Sequence, residues 1–338
     1  MIIIKVDIVG GSLSGLSTAI SLKQHNKAID VTVHEKHKTI GYNHEGRRCG
    51  EAFRAGGKWA KWKPVGNSIF NNITEFETIV GDKHYSVSSK PGIIFMLNRQ
   101  EFICQFAREA EKLGVNINTG DMIKSVDTLD GDYIVDASGC PSTIKRELKL
   151  EKGMKGITYQ QTLEDCNLFV PNLLKIVITD FCPGYFWIFP RNPEKKEVNL
   201  GVGIAIDTDY KLKEILEKFK EEQGIEGKVN YTIGGLIPAG FQKPLRYKNI
   251  LFVGDAGVGT FSISGEGNIR ALISGDVAGY CIAANHPEWY TKMIYQKFFR
   301  WEVLGKFYLR LTSVLNKIGK RSQFAISHLY LDVWYPYH

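Results

Sequence analysis

The sequence predicts an α/β protein, built on a Rossmann-like nucleotide-binding domain and followed by a C-terminal helical segment. Three observations carry this expectation. A strand, glycine turn, helix and second strand end on an acid at Glu35. A second strand–glycine–helix run occupies residues 249–279. A basic amphipathic stretch covers residues 292–321.

The first run, "IIIKVDIVGGSLSGLSTAISLKQ", begins at residue 2 as a short buried strand that breaks at Gly10-Gly11 and continues as a helix. Its spacing is that of the G-x-G-x-x-G fold, with Gly10, Ser12 and Gly15 at the key positions. Ser12 replaces the middle glycine, where backbone must approach a pyrophosphate closely. Val31, Thr32 and Val33 form the next strand, and Glu35 ends it with a carboxylate suited to ribose hydroxyls. FAD and NAD use the same cradle, so these residues alone leave the nucleotide open. The later run, "NILFVGDAGVGTFSISGEGNIRALISGDVAG", is a strand ending at Gly254-Asp255, a glycine-studded loop and a helix beginning near Gly267. An aspartate at such a strand end can bond a ribityl or ribose hydroxyl, and the helix start can hold an electron-rich ring edge.

The bulk numbers narrow the rest. The chain has 338 residues, enough for two cores or for one large core with an inserted lobe. Its 6 cysteines have no metal-ligand spacing, which fits a reducing compartment, and no metal site is expected. The opening "MIIIKVDIVGG" has neither a basic n-region nor a cleavage-like site, so no secretory signal is expected. No apolar run reaches the length of about 18 residues that a spanning helix needs. A cytoplasmic protein is expected, with a peripheral position on the inner membrane face as its variant. The net charge of +7 lies wholly in residues 292–321, where Lys292, Lys297, Arg300, Lys306, Arg310, Lys317, Lys320 and Arg321 face Glu302 alone. Ile294, Phe298, Trp301, Leu304, Tyr308, Leu311, Leu315 and Ile318 recur there at helical steps, with a break expected near Gly305. Two readings stand for this helix: packing on its own domain with a solvated basic face, or contact with an anionic surface. No nucleic-acid motif accompanies it, and no nucleic-acid partner is expected.

Paired across the chain, the two glycine motifs resemble the two-ended FAD cradle of the p-hydroxybenzoate hydroxylase-like flavoproteins. "GDYIVDASGCPSTIKREL" resembles that group's middle motif, with Ser138-Gly139 in place of the usual Asp-Gly. Within the group the chain resembles the geranylgeranyl reductase family, in the same order over residues 4–280. The segments that carry the likeness are "EKHKTIGYNHEGRRCGEAF", "LNRQEFICQFAREAEKLGVNINTG", "PGYFWIFPRNPEKKEVNLGVGIAI", "GGLIPAG" and the final glycine motif. Three departures accompany it. The stretch from Gly120 to Asp136 is too short for the usual β-meander, Asn268 stands where reductases commonly have an aliphatic residue, and the C-terminal part is short.

The resemblance implies a Rossmann-like FAD-binding domain, an inserted antiparallel β-sheet substrate domain and a C-terminal helical segment. The boundaries it suggests are 1–150 and 246–285 for the two parts of the FAD domain, 151–245 for the β-rich lobe and 286–338 for the helical segment. It implies FAD contacts from Gly10, Ser12, Ser14, Gly15, Glu35, Lys36, Cys49, Gly50, Ala52, Arg99, Ile123, Asp255, Gly265, Gly267 and Asn268. Cys49, Tyr185 and Trp187 are its implied catalytic residues. Tyr185, Trp187 and Phe189 alternate on a strand and therefore share one face. Plain core aromatics remain the other reading of that face. For Cys49 three roles stand: proton donor to an alkene carbon, orientation of substrate, and packing. Arg47 and Arg48 favour a thiolate, which opposes the first unless they point at phosphates.

The implied activity is reduction of C=C bonds in the geranylgeranyl chains of lipids or prenyl diphosphates, with NAD(P)H or ferredoxin as electron donor. An FAD-dependent aromatic hydroxylase and a non-catalytic flavin- or lipid-binding protein are the alternatives. Tyr-x-Trp-x-Phe-Pro also resembles a flavin halogenase motif, but no lysine stands in the context that such enzymes require.

Overall fold

The computed structural model describes residues 3–42, 50–55, 61–205 and 210–316. In chain order the elements begin with β1 (Lys5–Val9), α1 (Leu13–His25), β2 (Asp30–Glu35), β3 (Ala52–Arg54), β4 (Ile69–Ile73), β5 (Glu75–Val80), β6 (Lys83–Ser88) and β7 (Ile94–Leu97). Then come α2 (Arg99–Lys112), β8 (Asn116–Thr119), β9 (Tyr133–Asp136), α3 (Thr143–Glu147), β10 (Lys152–Glu164), β11 (Leu173–Ile178), β12 (Tyr185–Asn192) and β13 (Glu197–Ile204). The last are α4 (Leu212–Glu222), β14 (Lys228–Lys243), β15 (Arg246–Tyr247), β16 (Ile250–Phe252), α5 (Asn268–Ala283) and α6 (Trp289–Asn316). They form two compact units. The first gathers the described residues of 1–47, 99–155 and 236–306, and the second those of 48–98, 156–235 and 307–316.

The first unit is built on a sheet of order β15-β16-β9-β1-β2-β8. Its ladders are parallel from β16 through β8, and β15 joins antiparallel. Val6, Ile8 and Val9 of β1 are buried, as a strand covered on both faces requires. Helices α1 and α5 pack unusually closely because their facing residues are small. A Cβ on Gly275 would lie 2.3 Å from the Ser14 carbonyl oxygen, and one on Gly279 would lie 2.6 Å from the Thr18 carbonyl oxygen. The Ser17 and Ser21 hydroxyls use this closeness to donate to the carbonyls of Leu272 and Asp276, at 2.8 and 2.7 Å. Between β8 and β9 the chain makes only a 3-10 turn at Val126–Thr128, in the stretch that is too short for a meander.

In the second unit a seven-stranded sheet runs β14-β10-β13-β12-β11-β5-β6, beside a three-stranded sheet β3-β7-β4. The ladders β10–β13, β12–β13, β11–β12 and β5–β6 are antiparallel. The pair β11–β5 is parallel, a departure from a purely antiparallel lobe. That pairing also takes residues 48–98 out of the unbroken 1–150 segment expected from sequence, because β5 hydrogen-bonds along its whole length to β11. One face of the sheet forms a core with α4, whose Leu212, Leu216 and Phe219 cover Phe186, Leu200 and Val202. Phe186 and Phe219 stack with centroids 3.9 Å apart, and each ring contributes about 1.5–3 kcal/mol by leaving water.

The C-terminal helix differs from expectation in one respect. Helix α6 runs unbroken through Gly305. The glycine serves packing instead, since a Cβ there would come within 2.9 Å of the Ser262 Cβ. Tyr290, Ile294, Phe298 and Leu309 are buried, whereas Phe299, Val303, Leu304 and Phe307 face solvent. Among the described residues no helix is long and apolar enough to cross a membrane.

Candidate functional site

At the first glycine motif the backbone leaves no room for side chains. Gly10 has φ +110°, and a Cβ on it would lie 2.5 Å from the Ala137 carbonyl oxygen. A Cβ on Gly15 would lie 2.0 Å from the Gly10 carbonyl oxygen. Ser12 caps α1 through its carbonyl, which accepts from Leu16 N–H at 2.9 Å, and its side chain makes no capping bond. The helix start thus carries N–H groups suited to an anion. Glu35 is buried at the end of β2. Its Oε2 accepts the Gly11 N–H at 2.8 Å and its Oε1 the His37 N–H at 2.9 Å. The His37 ring Nδ1 also lies 2.8 Å from Oε1, so Oε2 is the oxygen that keeps a further lone pair for a hydroxyl. Lys36 is exposed beside it, and Ile123 lines a groove with His34, Asp121 and Leu129.

His34 is a residue that sequence reading passed over. Its Nδ1 lies 2.7 Å from Asp121 Oδ2 and its Nε2 lies 3.0 Å from Asp7 Oδ1. The bond to Asp7 raises its pKa above the ordinary value, burial opposes this, and Asp121 adds to the rise. Asp7 is pushed up by burial, but the bonds to His34 and to the Gly131 N–H outweigh that and hold it low.

The second glycine motif closes on the first. Gly254 has φ +54°, and a Cβ on it would strike the Ser14 hydroxyl at 2.5 Å. Asp255 follows. Burial raises its carboxyl pKa, while the positive charges of Arg99 and Arg270 pull it back down. Arg99 Nη1 donates to Asn268 Oδ1 at 2.6 Å. Gly265 has φ +69°, and Gly267, the N-cap of α5, would place a Cβ 3.5 Å from Asp255 Oδ1. The structure therefore brings Gly10, Ser14 and Gly15 to the Gly254 turn and gathers Arg99, Asn268, Gly267 and Asp255 around it. Glycine turns open to backbone approach, an arginine and a partly buried carboxylate suit a nucleotide diphosphate with a polyol, and a flavin nucleotide fits this cradle.

The middle motif is structural. Asp136 is fully buried and accepts from Ser138 N–H, Ser138 Oγ and Ser142 Oγ. Serine at 138 thus satisfies the strand-end carboxylate. Lys145, also missed from sequence, donates to the Gln242 carbonyl and lies 4.4 Å above the Phe252 ring. Burial pushes its pKa down to about 8 despite the Asp136 charge.

In the second unit Tyr185, Trp187 and Phe189 do share a face, with ring centroids 6.1 and 6.4 Å apart along β12. The neighbouring strand explains how the indole lies flat. Trp187 pairs with Gly201, where a Cβ would fall 2.1 Å from Trp187 Cζ2, and on Gly203 it would fall 3.4 Å from Cζ3. The Gly-Val-Gly sequence is therefore a bed for one ring. Trp187 Nε1 donates to Gln160 Oε1 at 3.0 Å, which sets the ring's rotation.

Beside this face a Cβ on Gly50 would lie 3.3 Å from the Phe189 ring, and Ala52 opens β3. Glu51 has φ +64°. It is held by Arg191, which also bonds Glu197 and lies 4.1 Å from the centre of the Phe70 ring. Asn199 Nδ2 reaches both the Gly50 carbonyl and Glu51 Oε2, each at 3.2 Å. Cys49, Arg47 and Arg48 lie outside the described residues.

Residues 155–236, which carry this aromatic face, match the family model of the geranylgeranyl reductase catalytic domain. Residues 8–69 match that of an NAD(P)-binding Rossmann-like domain. The digeranylgeranylglycerophospholipid reductase of Methanocella arvoryzae is 27% identical over 311 residues, covering 81% of this chain and 75% of that protein. The protein of the same name from Methanococcus aeolicus is 27% identical over 273 residues, covering 74% of this chain and 66% of that protein. Among solved structures, a geranylgeranyl bacteriochlorophyll reductase-like protein from Thermoplasma acidophilum superposes with a TM-score of 0.81 at 19% identity. The match covers 95% of this chain and 90% of that one, a shared fold. The matched catalytic segment, the relatives and the shared fold make the chain similar to the geranylgeranyl reductases, and they support an oxidoreductase activity.

Proposed function

We propose that this protein is an FAD-dependent reductase that saturates C=C bonds in the geranylgeranyl chains of lipids or prenyl diphosphates. The observation that supports this most is the aromatic face of Tyr185 and Trp187, with the Trp187 indole bedded on Gly201 and Gly203, within the segment matching the reductase catalytic domain. An isolated alkene offers no polar handle, so a flat apolar surface with few donors is what can bind it. A reduced flavin held here would supply hydride to one alkene carbon.

The protein's own residues bind, orient and exclude water. Gly10, Ser12, Ser14, Gly15 and Arg99 hold the diphosphate, and Glu35, Lys36 and Ile123 lie at the adenosine end. Asp255 takes a ribityl hydroxyl, while Gly265, Gly267 and Asn268 present the start of α5 to the ring. Gly50 and Ala52 line the flavin, and Cys49 acts on the alkene as proton donor or orienting group. Electrons come from NAD(P)H or ferredoxin. The protein works in the cytoplasm, and the basic, partly apolar outer side of α6 attaches it to anionic lipid.

Mass spectrometry of a geranylgeranylated lipid, incubated anaerobically with FAD-loaded, dithionite-reduced protein, tests the reading. The product should gain hydrogens in pairs. Unchanged lipid, with NAD(P)H oxidation that needs both oxygen and an aromatic compound, would make the protein a hydroxylase. Retained flavin without turnover of either kind would make it a binding protein.

A further inference from the structure

We propose that Glu302, on the C-terminal helix, is a positioning residue for the flavin-holding turn Gly254–Gly259, and that it acts through Arg270. The inference rests on the reading that this turn holds FAD.

The turn is wound around one carbonyl. The N–H groups of Gly257, Val258 and Gly259 all donate to the Gly254 oxygen, at 3.1, 2.7 and 2.9 Å. From outside it is pinned at both ends by side chains one helical turn apart on α5. Ser274 Oγ accepts the Gly254 N–H at 2.8 Å, and Arg270 Nη2 donates to the Val258 carbonyl at 2.6 Å. Asp255 lies between the two pins in sequence and carries the hydroxyl-binding carboxylate.

Arg270 is fully buried and ringed by Phe241, Phe261 and Phe298, 5.3, 4.9 and 4.6 Å from its guanidinium carbon. Among the described residues its Nε and Nη1 have no hydrogen-bond partner. The orientation of the guanidinium therefore depends on Nη2, which is shared between Val258 and Glu302 Oε1 at 2.7 Å. Glu302 is itself anchored, its Oε2 accepting the Phe241 N–H at 3.0 Å. A buried guanidinium without a counter-charge is costly. With Glu302 neutralised, the carboxylate left in its field is Asp255. Arg270 would turn toward that group, releasing Val258 and occupying the oxygen that a ribityl hydroxyl needs. Glu302, the sole acid in an otherwise basic segment, thus ties α6 to the cofactor turn.

FAD is titrated into apoprotein of the wild type and of Glu302→Gln, Glu302→Asp, the double variant Arg270→Met/Glu302→Gln, and Asp255→Ala. Affinity, visible circular dichroism of the bound flavin and apoprotein melting temperature are read together. A charge-assisted bond is worth about 1.5–3 kcal/mol, so Glu302→Gln should weaken FAD at least about tenfold and alter the dichroism. Its apoprotein should still melt cooperatively, and Glu302→Asp should recover most of the affinity. The double variant has no buried charge and an intact aromatic cage, yet it lacks the Val258 donor and should stay weak. Wild-type affinity in Glu302→Gln or in the double variant overturns the inference, because Glu302 then only neutralises Arg270. If Glu302→Gln does not fold, the double variant decides alone. Asp255→Ala separates the two levels. Lost FAD there leaves the cofactor reading standing whatever Glu302 does, and retained FAD overturns the reading itself.

Discussion

Replacing Arg191 by methionine should destabilise the second unit by about 4–6 kcal/mol. Arg191, Glu51 and Glu197 are 5%, 2% and 3% exposed, so the guanidinium neutralises two carboxylates out of reach of water. Removing one member of a buried pair costs about 3–5 kcal/mol, mainly because it strands the partner. Here two carboxylates lose the same guanidinium, and Glu51 keeps a donor in Asn199, at 3.2 Å. The contact with Phe70 adds about 0.5–1 kcal/mol. Against a typical domain stability of about 5–15 kcal/mol, that loss is a large fraction of the whole. The triple variant Arg191→Met/Glu51→Gln/Glu197→Gln removes the charges together and should regain most of the stability, since a neutral replacement of a buried ion cluster is often tolerated. Urea unfolding followed by tryptophan fluorescence measures each difference. A cost below about 1 kcal/mol for the single variant, or a triple variant weaker than the single one, would refute the reasoning.

The other expectations are shorter. His34 has a raised pKa in the folded protein, so its contribution is complete below its ordinary value of 6.5 and fades as pH rises through the folded value. His34→Gln should therefore cost about 1–2 kcal/mol at pH 6 and little at pH 9, read from unfolding midpoints across pH; a pH-independent cost would contradict this. Gly201→Ala drives a methyl into the Trp187 ring and should cost about 1–3 kcal/mol, change the near-ultraviolet dichroism and slow lipid reduction while flavin content holds. An unchanged spectrum would mean that the indole does not need its glycine bed. Burial pushes the thiols of Cys140 and Cys182 up to about 11 and that of Cys281 up to about 12. Iodoacetamide at pH 8 should leave all three unmodified until urea is added, as peptide mass spectrometry will show.

Much of the geometry of the first glycine motif was legible because its constraints are local. Gly10, Gly15 and Glu35 fall within one strand–turn–helix–strand unit, where spacing alone sets geometry. The common face of Tyr185, Trp187 and Phe189 was equally visible in their alternation. Contacts between distant segments were not. No local pattern announces that β5 pairs in parallel with β11, so residues 48–98 were assigned with their neighbours in sequence rather than in space. His34 reads as an ordinary strand residue until Asp7 arrives from β1 and Asp121 from the loop after β8. Gly305 was read as a helix breaker because propensity is a local quantity, but close approach to Ser262 outweighs it. The Arg191 cluster joins residues 140 positions apart, and its charges looked like solvent-facing ones.

The close seam between α1 and α5 also governs how the protein is made. The Ser17–Leu272 hydrogen bond spans 255 positions. A ribosome adding about 5–20 residues per second therefore releases β1, α1 and β2 many seconds before their partner helix exists. During that interval the small-residue face of α1 and the flank of β9 that awaits β16 are uncovered. The Rossmann-like fold can close only once α5 has been made. Nascent chains halted near Gly235 should consequently be cut readily by protease within their first 40 residues and held by chaperones, whereas chains extended past Ala283 should resist.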